Sequence, residues 1–205
     1  MPSVPRAGSR RVRTHASLFI VESVGFEDEE AGRVEGEILS RMLWLSGKDT
    51  DYRYIRTKQE LTAVLPQFRS SGRRYLHISC HGNSDALFTT LDQIRFEELG
   101  ELMASPLKNR RLFVSACEAV NDDLADAVMR RGGCYSIVGP ATDIGFDEAA
   151  VMWAAFYHLV FKKNSEGMNT RGIKAALSRV SETFSIPMTY IQRSDAKPYW
   201  KRVRP

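Results

Sequence analysis

Two short apolar runs each end on a residue able to do covalent chemistry. Tyr75-Leu76-His77-Ile78-Ser79-Cys80 leads into His81-Gly82-Asn83, and Leu112-Phe113-Val114-Ser115 leads into Ala116-Cys117-Glu118. A thiol attacks carbonyls as its thiolate, and a neighbouring imidazole that removes the proton supplies that form. If the two runs are adjacent parallel strands, they lie about 4.8 Å apart and their carboxyl ends open on one crevice. His81 and Cys117, distant in sequence, then come within mutual reach. The small neighbours Gly82 and Ala116 let backbone approach a substrate. Amides there can point at a developing oxyanion, where one preorganised donor is worth about 3–4 kcal/mol in rate. A helix starting near Asn121, just after Cys117, favours a thiolate at its amino end. Spacing alone leaves two readings open: a nucleophilic pair, or two strand-end residues of which the cysteine is simply core.

Positioning such a pair takes a scaffold, and the hydrophobic pattern predicts one. Leu18–Val21 reads as a buried strand. Glu29–Leu45, with Val34, Ile38, Leu39, Met42 and Leu45 at helical spacing, reads as an amphipathic helix. Tyr52–Arg56 is a second strand and Lys58–Phe68 a second helix. Strand three ends at His81, and 83–94 reads as a loop with a small strand or hairpin. A helix over Phe96–Met103 precedes strand four, which ends at Cys117. Asn121–Arg131 forms a helix stopped by Gly132-Gly133. Tyr135–Val138 is strand five, broken by Gly139-Pro140, and helices over Asp147–Lys163 and Thr170–Phe184 follow. Short strands alternating with helices predict an α/β fold with a mostly parallel sheet flanked by helices on both faces. Residues 1–14 read as a flexible basic arm, 15–190 as one domain, and 191–205 as a basic, irregular tail.

The 205 residues suffice for one domain, with 43% hydrophobic and 26% charged residues. The net charge of +4 is concentrated at the ends. No basic stripe is interleaved with aromatics, so no nucleic acid is expected as a partner. No segment has the roughly 20 apolar residues of a membrane span, so no membrane partner is expected either. Three cysteines form no paired framework, which points to free thiols and a cytoplasmic location. There is no Gly-rich phosphate loop. A metal is the rival chemistry, since His77, Cys80, His81, Cys117 and Cys134 are all capable ligands. Yet no Cys-x-x-Cys pair occurs, and His77 and Cys80 stand three apart on a strand and face opposite sides, so neither metal nor other cofactor is expected.

At these residues the chain resembles the caspase-like cysteine peptidases, most closely the CHAT-domain type. The resemblance rests on Leu76–Gly82 as a histidine motif and Leu112–Ala119 as a Ser-Ala-Cys motif. It continues through Val138-Gly139-Pro140, Asp147–Ala150 and Phe156–Leu159. It implies a caspase-like fold, His81 as general base, Cys117 as nucleophile, and the amides of Gly82 and Cys117 as oxyanion donors. It further implies limited proteolysis of a specific protein substrate, in bacterial defence or regulated cell death, under an activating partner. The family's first substrate pocket lies at the end of strand one, two residues before the cysteine, and after strand five. Glu22, Ser115 and Asp143 occupy those places here. With no Lys or Arg among them, aspartate before the cut is expected to be rejected. The segment after strand five lacks the family's common tryptophan, and Ser115-Ala116-Cys117-Glu118-Ala119 departs from the Gln-Ala-Cys of true caspases. A catalytically silent, protein-binding module of the same fold is the second reading.

Overall fold

A computed structural model of the chain describes residues 14–204, so the expected basic arm lies outside the described residues save for Thr14. Strand β1 (His15–Ser23) is followed by helices α1 (Phe26–Glu30) and α2 (Glu35–Leu45), then β2 (Asp51–Tyr54), α3 (Lys58–Ser71) and β3 (Arg73–Gly82). A hairpin of β4 (Ala86–Phe88) and β5 (Gln93–Arg95) leads to α4 (Phe96–Met103), β6 (Arg111–Ser115), α5 (Asp122–Gly132) and β7 (Ser136–Pro140). Helices α6 (Phe146–Lys163) and α7 (Thr170–Phe184) precede β8 (Met188–Arg193) and β9 (Trp200–Arg202).

The main sheet runs β2-β1-β3-β6-β7-β8-β9. Its first five strands are parallel and the last two antiparallel. Strand periodicity divides the core in two. Phe19, Val21, Leu76, Ile78, Leu112 and Val114 pack against α3, α4 and α5. Leu18, Ile20, Tyr75, Phe113 and Val138 pack against α2, α6 and α7, where Trp153, Phe156 and Tyr157 form the aromatic centre. The predicted α/β class, with helices on both faces, is therefore the observed one.

Local signals explain most boundaries. Thr57 and Glu60 form a reciprocal cap at the start of α3, and Gly72, at φ 75°, ends it. Asn121 accepts from the Leu124 amide to start α5, and Gly133 at φ 61° stops it. Three expectations fail. The single helix predicted over Glu29–Leu45 is two, because Gly32 turns the chain at φ 70° and the Arg33 amide closes back on the Asp28 carbonyl. Strand β7 runs through Pro140 rather than stopping before it. Pairing with β6 ends at Val138, so proline's missing N–H interrupts no ladder on that side. The tail expected to be irregular carries the end of β8 and all of β9. Tyr190 and Ile191 are buried, and the Trp200 indole donates to Asp126 at 2.7 Å. The density of basic residues there hides the strand pattern.

Candidate active site

Strands β3 and β6 pair in parallel with Ile78 opposite Val114 and Ser79 opposite Ser115. His81 and Cys117 each stand two residues beyond that last pair, at the carboxyl ends of the two strands. Cys117 sits on the turn after β6 rather than in the strand. Gly82 brings the two ends together: a Cβ there would lie 2.9 Å from the Ala116 Cβ and 3.3 Å from the Cys117 carbonyl oxygen. Only glycine admits that approach. The two amides expected to hold an oxyanion thus belong to abutting backbone segments. Glu118, next to the cysteine, holds a left-handed φ of 53°, a strained conformation of the kind that gathers at functional turns.

The His81 side chain is 47% exposed, and its Nε2 lies 2.7 Å from Asp28 Oδ2. Its ring meets Phe146 edge-on at 5.3 Å. Burial works against the Asp28 charge, but hydrogen bonds from Arg33 and His81 outweigh it and hold the carboxyl below its ordinary range. Asp28 stays ionised, and that fixes the imidazole orientation. The Cys117 thiol faces the Ile144 carbonyl at 3.8 Å. Burial pushes the thiol up, and the nearby carboxylates of Asp143 and Glu118 add to this. The depressed thiol expected from the following helix is therefore not found. α5 begins five residues on, and Asp122 and Asp123 occupy its first turn. No hydrogen bond joins His81 to Cys117 among the described residues.

The three expected pocket residues separate. Glu22 is fully buried at the end of β1. Its carboxylate accepts from the Gly36 amide at 2.6 Å, the Glu37 amide at 3.1 Å and the Tyr52 hydroxyl at 2.8 Å, which caps α2. Burial raises its pKa. Ser115 is also buried, its hydroxyl donating to Glu35 Oε2 at 2.7 Å. Asp143 is exposed and lies beside the thiol. Sequence reasoning missed Asp28 and Glu35. Glu35 is buried beneath the crevice, accepts from Ser79 as well as Ser115, and lies 3.4 Å from His77 Nε2. His77 in turn shares a hydrogen bond with the Tyr157 hydroxyl at 2.9 Å, so this histidine is a buried structural partner. The signal for Asp28 was present in the acidic run Glu27-Asp28-Glu29-Glu30, just past the carboxyl end of β1.

Cys80 and Cys134 lie in the opposite core layer, where burial pushes both thiols to about 12. Among the described residues no three His, Cys, Asp or Glu side chains cluster as a metal site. No helix among them is long and apolar enough to cross a membrane.

The strand order and the helices flanking a mostly parallel sheet define a caspase-like α/β fold. Solved structures agree with it. The crystal structure of the Arg-specific cysteine proteinase gingipain R superposes with a TM-score of 0.53 at 13% identity, over 84% of this chain and 45% of that one. A secreted C11 cysteine protease from Bacteroides thetaiotaomicron, iotapain, gives 0.54 at 11% identity, over 88% of this chain and 67% of that one. The chain thus spans less than half of the gingipain structure. At such identities the likeness establishes the fold. No protein-family model and no curated protein sequence matches the chain.

Proposed function

We propose that the chain is a cysteine endopeptidase of the CHAT-like kind, with Cys117 as nucleophile and His81 as general base. The carrying observation is the register of β3 and β6, with Gly82 packed on the Cys117 turn. Asp28 occupies Nε2 of His81, which leaves Nδ1 to take the thiol proton. The thiolate sulfur bonds to the scissile carbonyl carbon, and the Gly82 and Cys117 amides stabilise the oxyanion. The imidazolium then returns its proton to the leaving amine as the C–N bond breaks. Water, deprotonated by the same imidazole, cleaves the thioester and frees the acid. No cofactor enters this sequence.

The substrate is a protein cut at few sites, in a defence or cell-death setting, with a basic or uncharged residue before the cut. Asp143 beside the thiol supports that preference, since a substrate aspartate there would meet like charge, whereas a basic side chain could pair with it. The resting chain is slow. The 83–94 segment, which follows the base directly, forms the β4–β5 hairpin with Leu87 and Ile94 buried in the α3–α5 core. Ile144, in the segment after β7, lies against the thiol instead and would have to shift on activation by a partner. The raised thiol and its carbonyl contact are also what favour the second reading, a silent protein-binding module.

A thiol-reactive peptide probe and a fluorogenic peptide library separate the two. Cys117→Ala and His81→Ala are expected to abolish cleavage with the melting temperature retained, and Cys80→Ala and Cys134→Ala to keep it. Activity surviving in Cys117→Ala would refute the mechanism. A folded protein that cleaves nothing and leaves the probe unreacted, with or without its partner, favours the silent module.

A further inference from the structure

Helix α2 carries more apolar surface than the fold covers. Leu39 and Leu43 are buried, but Ile38, Met42 and Leu45 form a second stripe that is 44%, 46% and 80% exposed. Across from it, Val151 of α6 is 56% exposed. Between the two helices runs a groove of about 740 Å³, floored by Leu39, Leu43 and Tyr157. Ile38, Met42 and Val151, all exposed, line the groove itself. The groove lies on α2 and α6, away from the His81–Cys117 pair, and owes nothing to the proposed peptidase reading.

Its charge pattern indicates what covers it. One end is basic, with Lys48 and Lys162 in its lining, and beyond the other end the first turns of α2 and α6 carry Glu37, Asp147 and Glu148. The exposed face of α6 is also self-complementary. Asp147 and Lys162 stand equidistant from the Ala154–Ala155 midpoint, as do Val151 and His158, and all six share one helical face. An antiparallel two-fold about that midpoint sets Asp147 of one chain over Lys162 of the other, twice. It sets Val151 over His158 and places the small alanines at the crossing, where helix axes can approach to about 8 Å. The same operation lays the Ile38–Met42–Leu45 stripe against itself. The result is a four-helix layer whose centre is filled by these apolar side chains.

We infer that the α2–α6 groove is the two-fold interface of a homodimer, occupied by a second copy of this chain. Sedimentation velocity or light scattering of the full chain between about 1 and 100 μM tests it, in the range of a moderate interface. The expected mass rises from one chain towards two. Met42→Glu and Val151→Glu are expected to stay monomeric throughout with an unchanged melting temperature. Lys162→Asp is expected to weaken association at least tenfold, and adding Asp147→Lys to restore it. A wild-type protein monomeric at 100 μM overturns the inference. So does a dimer that survives both glutamates, or one that forms only when residues 2–13 are deleted.

Discussion

In the proposed mechanism, Asp28 is the residue that orients the half-exposed His81 as a base. Its carboxylate holds His81 Nε2 at 2.7 Å and is itself held by Arg33 at 2.8 Å. Asp28→Asn is expected to lower kcat on the order of 100-fold, with the fold and Cys117 alkylation by iodoacetamide intact. A variant with wild-type kcat would remove Asp28 from the mechanism. Asp143 acts in the opposite sense. Burial and then its carboxylate raise the Cys117 pKa, so less thiolate is present at any given pH and reactivity appears only as pH rises. Asp143→Asn removes the charge and leaves the burial. The midpoint of Cys117 alkylation against pH is therefore expected to move down, and an unmoved or raised midpoint would clear Asp143 of the role.

The approach of β3 to β6 and the start of α2 are the element-level features on which the crevice depends. Glu22 at the end of β1 ties two α2 amides and the Tyr52 hydroxyl, and α2 carries Glu35 beneath the crevice. Glu22→Ala leaves those donors unpaired in the interior and is expected to destabilise by about 3 kcal/mol in urea unfolding. The sign of its pH effect follows from its raised pKa. A carboxyl harder to ionise when folded favours the native state below its unfolded value, and that contribution is lost as pH rises through the folded one. Glu22→Gln cannot ionise. The stability difference, wild type minus Glu22→Gln, is expected to fall with rising pH above the ordinary carboxylate range. A difference flat with pH would contradict the assignment.

Across the whole molecule, the parallel sheet is finished by an antiparallel pair from the far end of the chain. β9 is anchored to α5 by Trp200 on Asp126 at 2.7 Å and by Arg202 on Asp122 at 2.7 Å. Deleting residues 194–205 exposes the edge of β8 and frees both contacts. The melting temperature is expected to drop by roughly 5 °C, with the probe reaction at Cys117 preserved because the crevice lies at β3 and β6. An unchanged melting temperature would mean that β9 contributes nothing to stability.

The sequence by itself determined the α/β class, nearly every helix, and the delivery of His81 and Cys117 to adjacent strand ends. Each of these follows from local periodicity and caps, such as Thr57–Glu60 on α3 and Asn121 on α5, which neighbouring residues suffice to specify. The tertiary structure alone decided which carboxylates serve the site. Glu22 and Asp28 are six residues apart and chemically alike, yet one lies in β1 and caps α2 while the other lies on α1 and meets His81. It also decided which apolar stripe of α2 is core, since Leu39 and Ile38 fit the helical pattern equally well and only the position of α6 buries one and leaves the other exposed. Helical spacing records that a side chain is apolar. What covers it depends on elements more than a hundred residues away.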